Sequence, residues 1–293
     1  MIDLTPSAAT ELFRRGPDDL LDVGAGAAAY RRVGRGPDVL FVHGWPVSGA
    51  TFRMLLPHLA GHVTCHVIDL PGSGSSRFGA DTTLTVDRHV TSVRRVVDLL
   101  GLSEVAVVGH DSGGLIARHA LAGDARLRAL GLIDTEPSRG ATWRFRAFIA
   151  ARHAPGLAAG LGWVAGRPRL RRSPLVFGGA FADPSRLDGE FAEFFLDPLR
   201  DEPERRRAAA AVLRSFDPRL LRDLDDVHRR ITVPVQLVWG DRDRFFPPRA
   251  AQHMVGTFPD AQLELVEGAG LFSHEERPAA VARALLPILV GSR

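Results

Sequence analysis

The stretch VAVVGHDSGGLIARHAL, residues 105–121, runs from a short apolar segment through a glycine-rich turn into a helical pattern. A side chain at the apex of such a strand–turn–helix junction projects free of the backbone, where a nucleophile is placed in a tight elbow. The turn is strained, so small residues must flank the apex two positions away on each side. Centred on Asp111, the flanks are Gly109 and Gly113; centred on Ser112, they are His110 and Gly114. Histidine does not fit the first flank, so Asp111 is the apex residue. A carboxylate there suits attack on an sp³ carbon bearing a leaving group, which leaves an ester that water must cleave. The competing reading, an aspartate capping the helix that follows, leaves the paired glycines unexplained.

The elements that must position Asp111 follow from the hydrophobic pattern. Apolar runs at 39–42, 63–68, 105–108, 127–133, 235–239 and 261–266 each end at a glycine, aspartate or histidine turn. Runs this short and this apolar read as parallel strands buried on both faces. Helical patterns lie between them, at about 50–59, 84–100, 113–122, 248–256 and 275–289. The alternation predicts a doubly wound α/β sheet, led by an antiparallel pair near 21–24 and 27–33. It stops between about 137 and 230, a stretch rich in Arg, Ala, Phe and Pro that reads as several short helices. The expected organisation is a core of 1–136 and 231–293 with a helical cap of 137–230. Such a cap would lie over the C-terminal strand ends, where ligands of open α/β sheets bind.

Composition narrows the function. The 293 residues, 45% hydrophobic and 24% charged, suffice for one large α/β domain with an insertion. A pI near 10.1 suggests nucleic acid, but every one of the 37 basic residues is arginine and the formal charge is only +3. Without lysine little titrates between histidine and arginine, so the high pI reflects no large charge and no nucleic-acid partner is expected. The one cysteine, Cys65, lies in an apolar run and reads as a buried structural thiol. The N-terminal stretch has no apolar signal core, and no run approaches a membrane span, so a cytoplasmic protein is expected. His58, His62 and His66 recur every four residues, but Gly61 interrupts any helix carrying them, and no metal site or other cofactor is implied. The expected partner is a small-molecule substrate; oligomeric state is not legible.

Four motifs, HGWP at 43–46, DLPGSGSS at 69–76, GHDSGG at 109–114 and GDRD at 240–243, stand in order at the predicted strand ends. With them the chain resembles the α/β-hydrolase superfamily over about 22–290, specifically its Asp-nucleophile branch of epoxide hydrolases and haloalkane dehalogenases. The resemblance implies an oxyanion hole from the backbone N–H groups of Trp45 and Ser112. It implies a supporting acid at Asp243, with Asp241, Asp134 and Glu136 as alternatives. It places a histidine base directly after the Gly-Ala-Gly of VEGAGLFSHEERP (266–278), where this sequence has Leu271. The nearest histidine is His274, three residues on, and it is the candidate substitute base.

Candidate substrate contacts are His43 and His110 in the motif turns, and Trp143 and Trp163 in the cap; core packing is the expected use of both tryptophans. The cap phenylalanines suggest an apolar pocket, most of them serving as cap core. The family's epoxide-opening tyrosine is absent, since Tyr30 is the only tyrosine and precedes the cap. Three readings stand open. The protein hydrolyses with His274 or another group activating water; or it uses Asp111 as an acid or base in a cyclisation, elimination or rearrangement; or it is an inactive small-molecule binder.

Overall fold

The computed structural model describes residues 4–140 and 142–291. Eight strands form one sheet: β1 (Asp19–Asp22), β2 (Ala27–Gly34), β3 (Asp38–Val42), β4 (Thr64–Asp69), β5 (Val105–His110), β6 (Leu127–Ile133), β7 (Val235–Gly240) and β8 (Ala261–Val266). Their spatial order is β1-β2-β4-β3-β5-β6-β7-β8. β1 pairs antiparallel with β2 and β2 with β4; every pairing from β4 to β8 is parallel. The predicted α/β sheet and its leading antiparallel pair are therefore present.

The central strands are buried because helices cover both faces. β4, β5 and β7 are buried along their whole length, and Val39, Leu40, Phe41 and Val42 of β3 have no exposed surface. Each such side chain contributes about 1.5–3 kcal/mol relative to an exposed one. β8 departs from expectation. It alternates half-buried and exposed positions, with Leu265 exposed, because it is an edge strand carrying Gln262 and Glu264 outward.

Strand order reverses at β3: the chain runs from β3 out to β4 and then returns to place β5 on the other side of β3. The crevice at such a switch point is where ligands bind. The turn after β3 carries Trp45 and the turn after β5 carries Asp111, so the crevice opens beside both.

The chain between β6 and β7 forms no strand among the described residues. Its longer helices are Trp143–Ala151, Leu157–Ala165 and Pro203–Arg214, joined by shorter turns and a π-helical turn at Ala192–Leu196. A helix at Pro6–Arg14 was not legible in the sequence pattern. Thr5 caps it by accepting the Ala8 N–H at 3.2 Å, and Arg14 donates from Nε to Glu193 at 2.8 Å. The N-terminal helix is thus tied to the π-helical turn of the insertion.

Candidate active site

Asp111 sits at φ 49°, ψ −134°, a backbone conformation rarely held by a non-glycine residue. Close packing enforces it. A Cβ on Gly113 would come within 2.2 Å of the Val42 carbonyl oxygen, so the elbow can approach β3 only through glycine. A Cβ on Gly44 would lie 2.5 Å from both Cβ and Oδ2 of Asp111, so the facing turn must be bare as well. These contacts account for the glycines around the apex in structural terms.

The two turns both hold the carboxylate. The Trp45 N–H donates to Asp111 Oδ2 at 2.9 Å. Burial nonetheless raises the Asp111 pKa to about 6, opposed by the Ser112 and Trp45 backbone N–H groups and the Ser112 hydroxyl. The N–H groups expected to form an oxyanion hole therefore hold the carboxylate itself. The Trp45 indole N–H donates to the Ala209 carbonyl at 2.9 Å, fixing the turn to the Pro203–Arg214 helix.

A cavity of about 540 Å³ opens above Asp111, between the strand ends and the helical insertion. Its lining is apolar or glycine apart from Asp111, Ser112, Glu136, Arg144 and the indoles of Trp45, Trp143 and Trp163. Phe148 packs on Trp45 at 5.2 Å between ring centroids, and Phe181 stacks on Phe272 at 4.8 Å. Far from serving only as cap core, Phe145, Phe148, Phe177, Phe181, Phe191 and Phe195 all face this space. The expectation that Trp143 and Trp163 are core residues is overturned. They are 60% and 54% exposed and line the cavity's mouth.

Leu271 forms part of the cavity wall, whereas Asp243 does not line the cavity. Asp243 is buried, and its Oδ1 accepts the N–H groups of Phe245 at 2.7 Å and Phe246 at 3.0 Å. Its Oδ2 is also buried and has no hydrogen-bond partner. An unpaired buried carboxylate oxygen is costly, and burial pushes the Asp243 pKa up to about 8, opposed by the two N–H groups and aided by Asp111. Asp134 is bound elsewhere. Its Oδ1 accepts the Gly240 N–H at 2.7 Å and its Oδ2 accepts the Ser273 hydroxyl. Asp241 Oδ1 accepts the Gly268 N–H at 2.8 Å on the exposed side of the loop, so it takes no part in the cavity.

Glu136 does line the cavity, although it is almost wholly buried. Burial, then the nearby Asp111 charge, raises its pKa to about 8. Thr135 Oγ1 donates to the Asp111 carbonyl at 2.7 Å and accepts from Arg118 Nη2 at 2.9 Å. The same hydroxyl lies 3.1 Å from Glu136 Oε2, a contact that a protonated Glu136 can make as donor. Arg118 is fully buried and also donates to the Glu136 carbonyl at 2.8 Å and to His228 Nε2 at 3.0 Å. Sequence reading missed Arg118; its signal was an arginine on the otherwise apolar face of the helix after the elbow.

The structure corrects the histidine assignments. His274 is fully buried and not part of the cavity lining; its Nε2 lies 2.8 Å from Thr51 Oγ1. It packs against the rings of Phe52 and His110. Burial, then His110 and Arg53, hold its pKa well below the usual value. It cannot take the place of a base at Leu271, because the short helix Ser273–Glu276 turns it back into the core. His110 donates from Nε2 to the Leu271 carbonyl at 3.0 Å, and burial lowers its pKa to about 3. His43 Nδ1 donates to the Gly44 carbonyl at 2.8 Å, and its Nε2 accepts the Leu70 N–H at 3.0 Å. Both therefore brace the turns and neither contacts the cavity. Among the described residues, which include all 11 histidines, none lines it.

Groups of three or more metal-binding side chains are absent among the described residues, and none of the described helices is long and apolar enough to cross a membrane.

Comparison with known proteins places this geometry. The sequence profile of the α/β hydrolase fold matches residues 37–278. A pimeloyl-[acyl-carrier protein] methyl ester esterase from Chromobacterium violaceum is 30% identical over 257 residues, covering 83% of this chain and 92% of the esterase. An α/β hydrolase fold protein from Burkholderia ambifaria superposes with a TM-score of 0.77 at 23% identity, covering 92% of this chain and 97% of that one. The haloalkane dehalogenase DbeA from Bradyrhizobium elkani superposes with a TM-score of 0.77 at 21% identity, covering 93% and 96%. At those identities the two structures speak to the fold. From the profile match and the esterase relative together, the chain belongs to the α/β hydrolase fold family.

Proposed function

We propose that this protein is an enzyme of the aspartate-elbow type whose cap and core enclose a small apolar substrate, and that it performs acid–base chemistry without a hydrolytic half-reaction. One observation carries this reading. The position where a base would activate water is a leucine in the cavity wall, and the acid behind it, Asp243, has an unpartnered buried oxygen. An ester on Asp111 would have no histidine to supply hydroxide.

The two ionisable groups facing the apolar space with separated pKa values divide the roles. Asp111, held by the Trp45 and Ser112 N–H groups, keeps its charge more readily and acts as base; Glu136, whose proton is favoured by burial and by the Asp111 charge, acts as acid. Environments that push two carboxyls apart in this way assign acid and base. Asp111 removes a proton from the substrate while Glu136 delivers one to the oxygen whose bond to carbon breaks, as a cyclisation, elimination or rearrangement with an oxygen leaving group needs. Trp45 and Ser112 keep the Asp111 carboxylate oriented. Water is not consumed, so an apolar cavity that excludes it suits the reaction.

Intact mass spectrometry with halogenated, epoxide and ester probes separates the readings. Turnover without a covalent adduct supports acid–base chemistry. An adduct that persists and is lost in Asp111→Asn would return Asp111 to the role of nucleophile. Undiminished binding with neither adduct nor turnover would make the protein a binder.

A further inference from the structure

The cap carries an unbalanced charge exactly where the cavity opens to solvent. Between Glu136 and Asp183 there is no acidic residue, yet residues 137–182 hold eight arginines: 139, 144, 146, 152, 167, 169, 171 and 172. Arg139 pairs with Asp225, and Arg171 and Arg172 with Asp188. The other five have no acidic partner within ion-pair distance among the described residues.

Arg144 alone of these lines the cavity. Its Nη1 donates to the Pro174 carbonyl at 2.6 Å, and its guanidinium lies 4.8 Å from the Trp143 ring centroid. The two contacts hold a half-buried guanidinium at the mouth, with other N–H donors left to serve a ligand. Around it, Trp143, Trp163 and Leu175 are exposed and line the same opening. The floor has the opposite character, since Asp111 and Glu136 sit there among phenylalanines.

We infer that the cavity takes an amphipathic anion, a molecule whose carboxylate or phosphate group stays on Arg144 at the mouth while its apolar body reaches Asp111. Charge orients it. An anionic group is repelled by the Asp111 carboxylate and drawn to Arg144, so only the apolar end can enter first. Guanidinium suits this task because its planar donors match carboxylate and phosphate oxygens. The inference rests on the cavity being the substrate site, as the proposed function requires, but not on the type of chemistry done there.

The test is calorimetric binding of dodecanoate, dodecyl phosphate and dodecanol below their aggregation limits, to the full chain and to Arg144→Gln. The expected result is that at least one anion binds about fivefold or more tighter than the alcohol at low salt. That advantage should shrink to within about twofold in Arg144→Gln and at about 0.5 M salt, with dodecanol binding unchanged. Preference for one anion over the other identifies the headgroup. Equal binding of all three to the unaltered protein, or an anion preference that survives Arg144→Gln, overturns the inference. Because binding is read without turnover, failure here leaves the acid–base reading standing, and the reverse also holds.

Discussion

The two halves of the active site have different fates. On the β3–β5 side, the elbow and its facing turn are intact: a strained Asp111, glycines packed against backbone, and a Trp45 N–H on the carboxylate. On the β7–β8 side, Asp243 Oδ1 has two backbone donors but Oδ2 has no partner, and Leu271 forms part of the cavity wall. The first half is held by main-chain packing through its glycines and by backbone N–H donors. The second rests on single side chains, with Leu271 at the position where the family resemblance implies a histidine. The difference teaches that main-chain packing can hold one half of a site in place whatever side chain stands at a single position of the other half.

Removing the supported half has the largest expected effect. Asp111→Asn should lower turnover by about 10³-fold or more while circular dichroism and melting temperature stay near the parent values. Glu136→Gln should cost about 10²-fold, and its pH profile is the sharper readout. In the parent, rate should rise as Asp111 ionises near pH 6 and fall as Glu136 ionises near pH 8; Glu136→Gln should remove the alkaline limb. A profile with no alkaline limb in the parent would count against Glu136 as acid.

Leu271→His tests the β7–β8 half by placing there the histidine that the family resemblance implies. The new Nδ1–H should meet the unpaired Asp243 oxygen, and ester or haloalkane hydrolysis should rise about tenfold over the parent, measured by product release. No rise would mean that the two halves no longer converge on one substrate atom.

Asp243→Asn should leave turnover within about twofold, since the present site does not use that carboxylate, but it should change the pH dependence of stability. Folded Asp243 keeps its proton up to about pH 8, whereas an exposed aspartate releases it near 3.8. The folded state thus binds more protons across that window, so stability falls as pH rises from about 4 to 8 and levels off above. Asp111 and Glu136 act in the same direction. Thermal melts of Asp243→Asn should show a shallower decline over this range, by a few degrees at pH 8. The smallest effect is expected from His274→Leu. Losing the Thr51 contact should cost about 1 kcal/mol in denaturant titration with turnover unchanged; a large drop in turnover would restore His274 to the chemistry.

Much of this was legible in sequence because it depends on local rules. Apolar runs ending in turn residues placed every parallel strand within a few residues, and glycine spacing alone distinguished Asp111 from Ser112 as the apex. The Pro6–Arg14 helix escaped because its start is one Thr–Pro cap and its packing partners lie far away in sequence. β8 was read as buried because a short run cannot reveal which strand ends the sheet.

For the site, residue identity and residue placement came apart. The absence of histidine at Leu271 is a fact of sequence, and so is the acid-free, arginine-rich stretch 137–182 at the start of the cap. Whether His274 could compensate depended on a four-residue helix turning it against Thr51 and His110, which chain spacing does not encode. Which acid faces the cavity depended on side-chain direction at two strand ends, with Glu136 turned inward and Asp243 walled off. Sequence by itself determined the fold, the strained apex and the leucine at position 271, because these follow from periodicity, steric allowance and a single side chain. Only the tertiary structure decided which carboxyls share the apolar space, because burial and proton affinity are set by contacts among segments from 24 to more than a hundred residues apart.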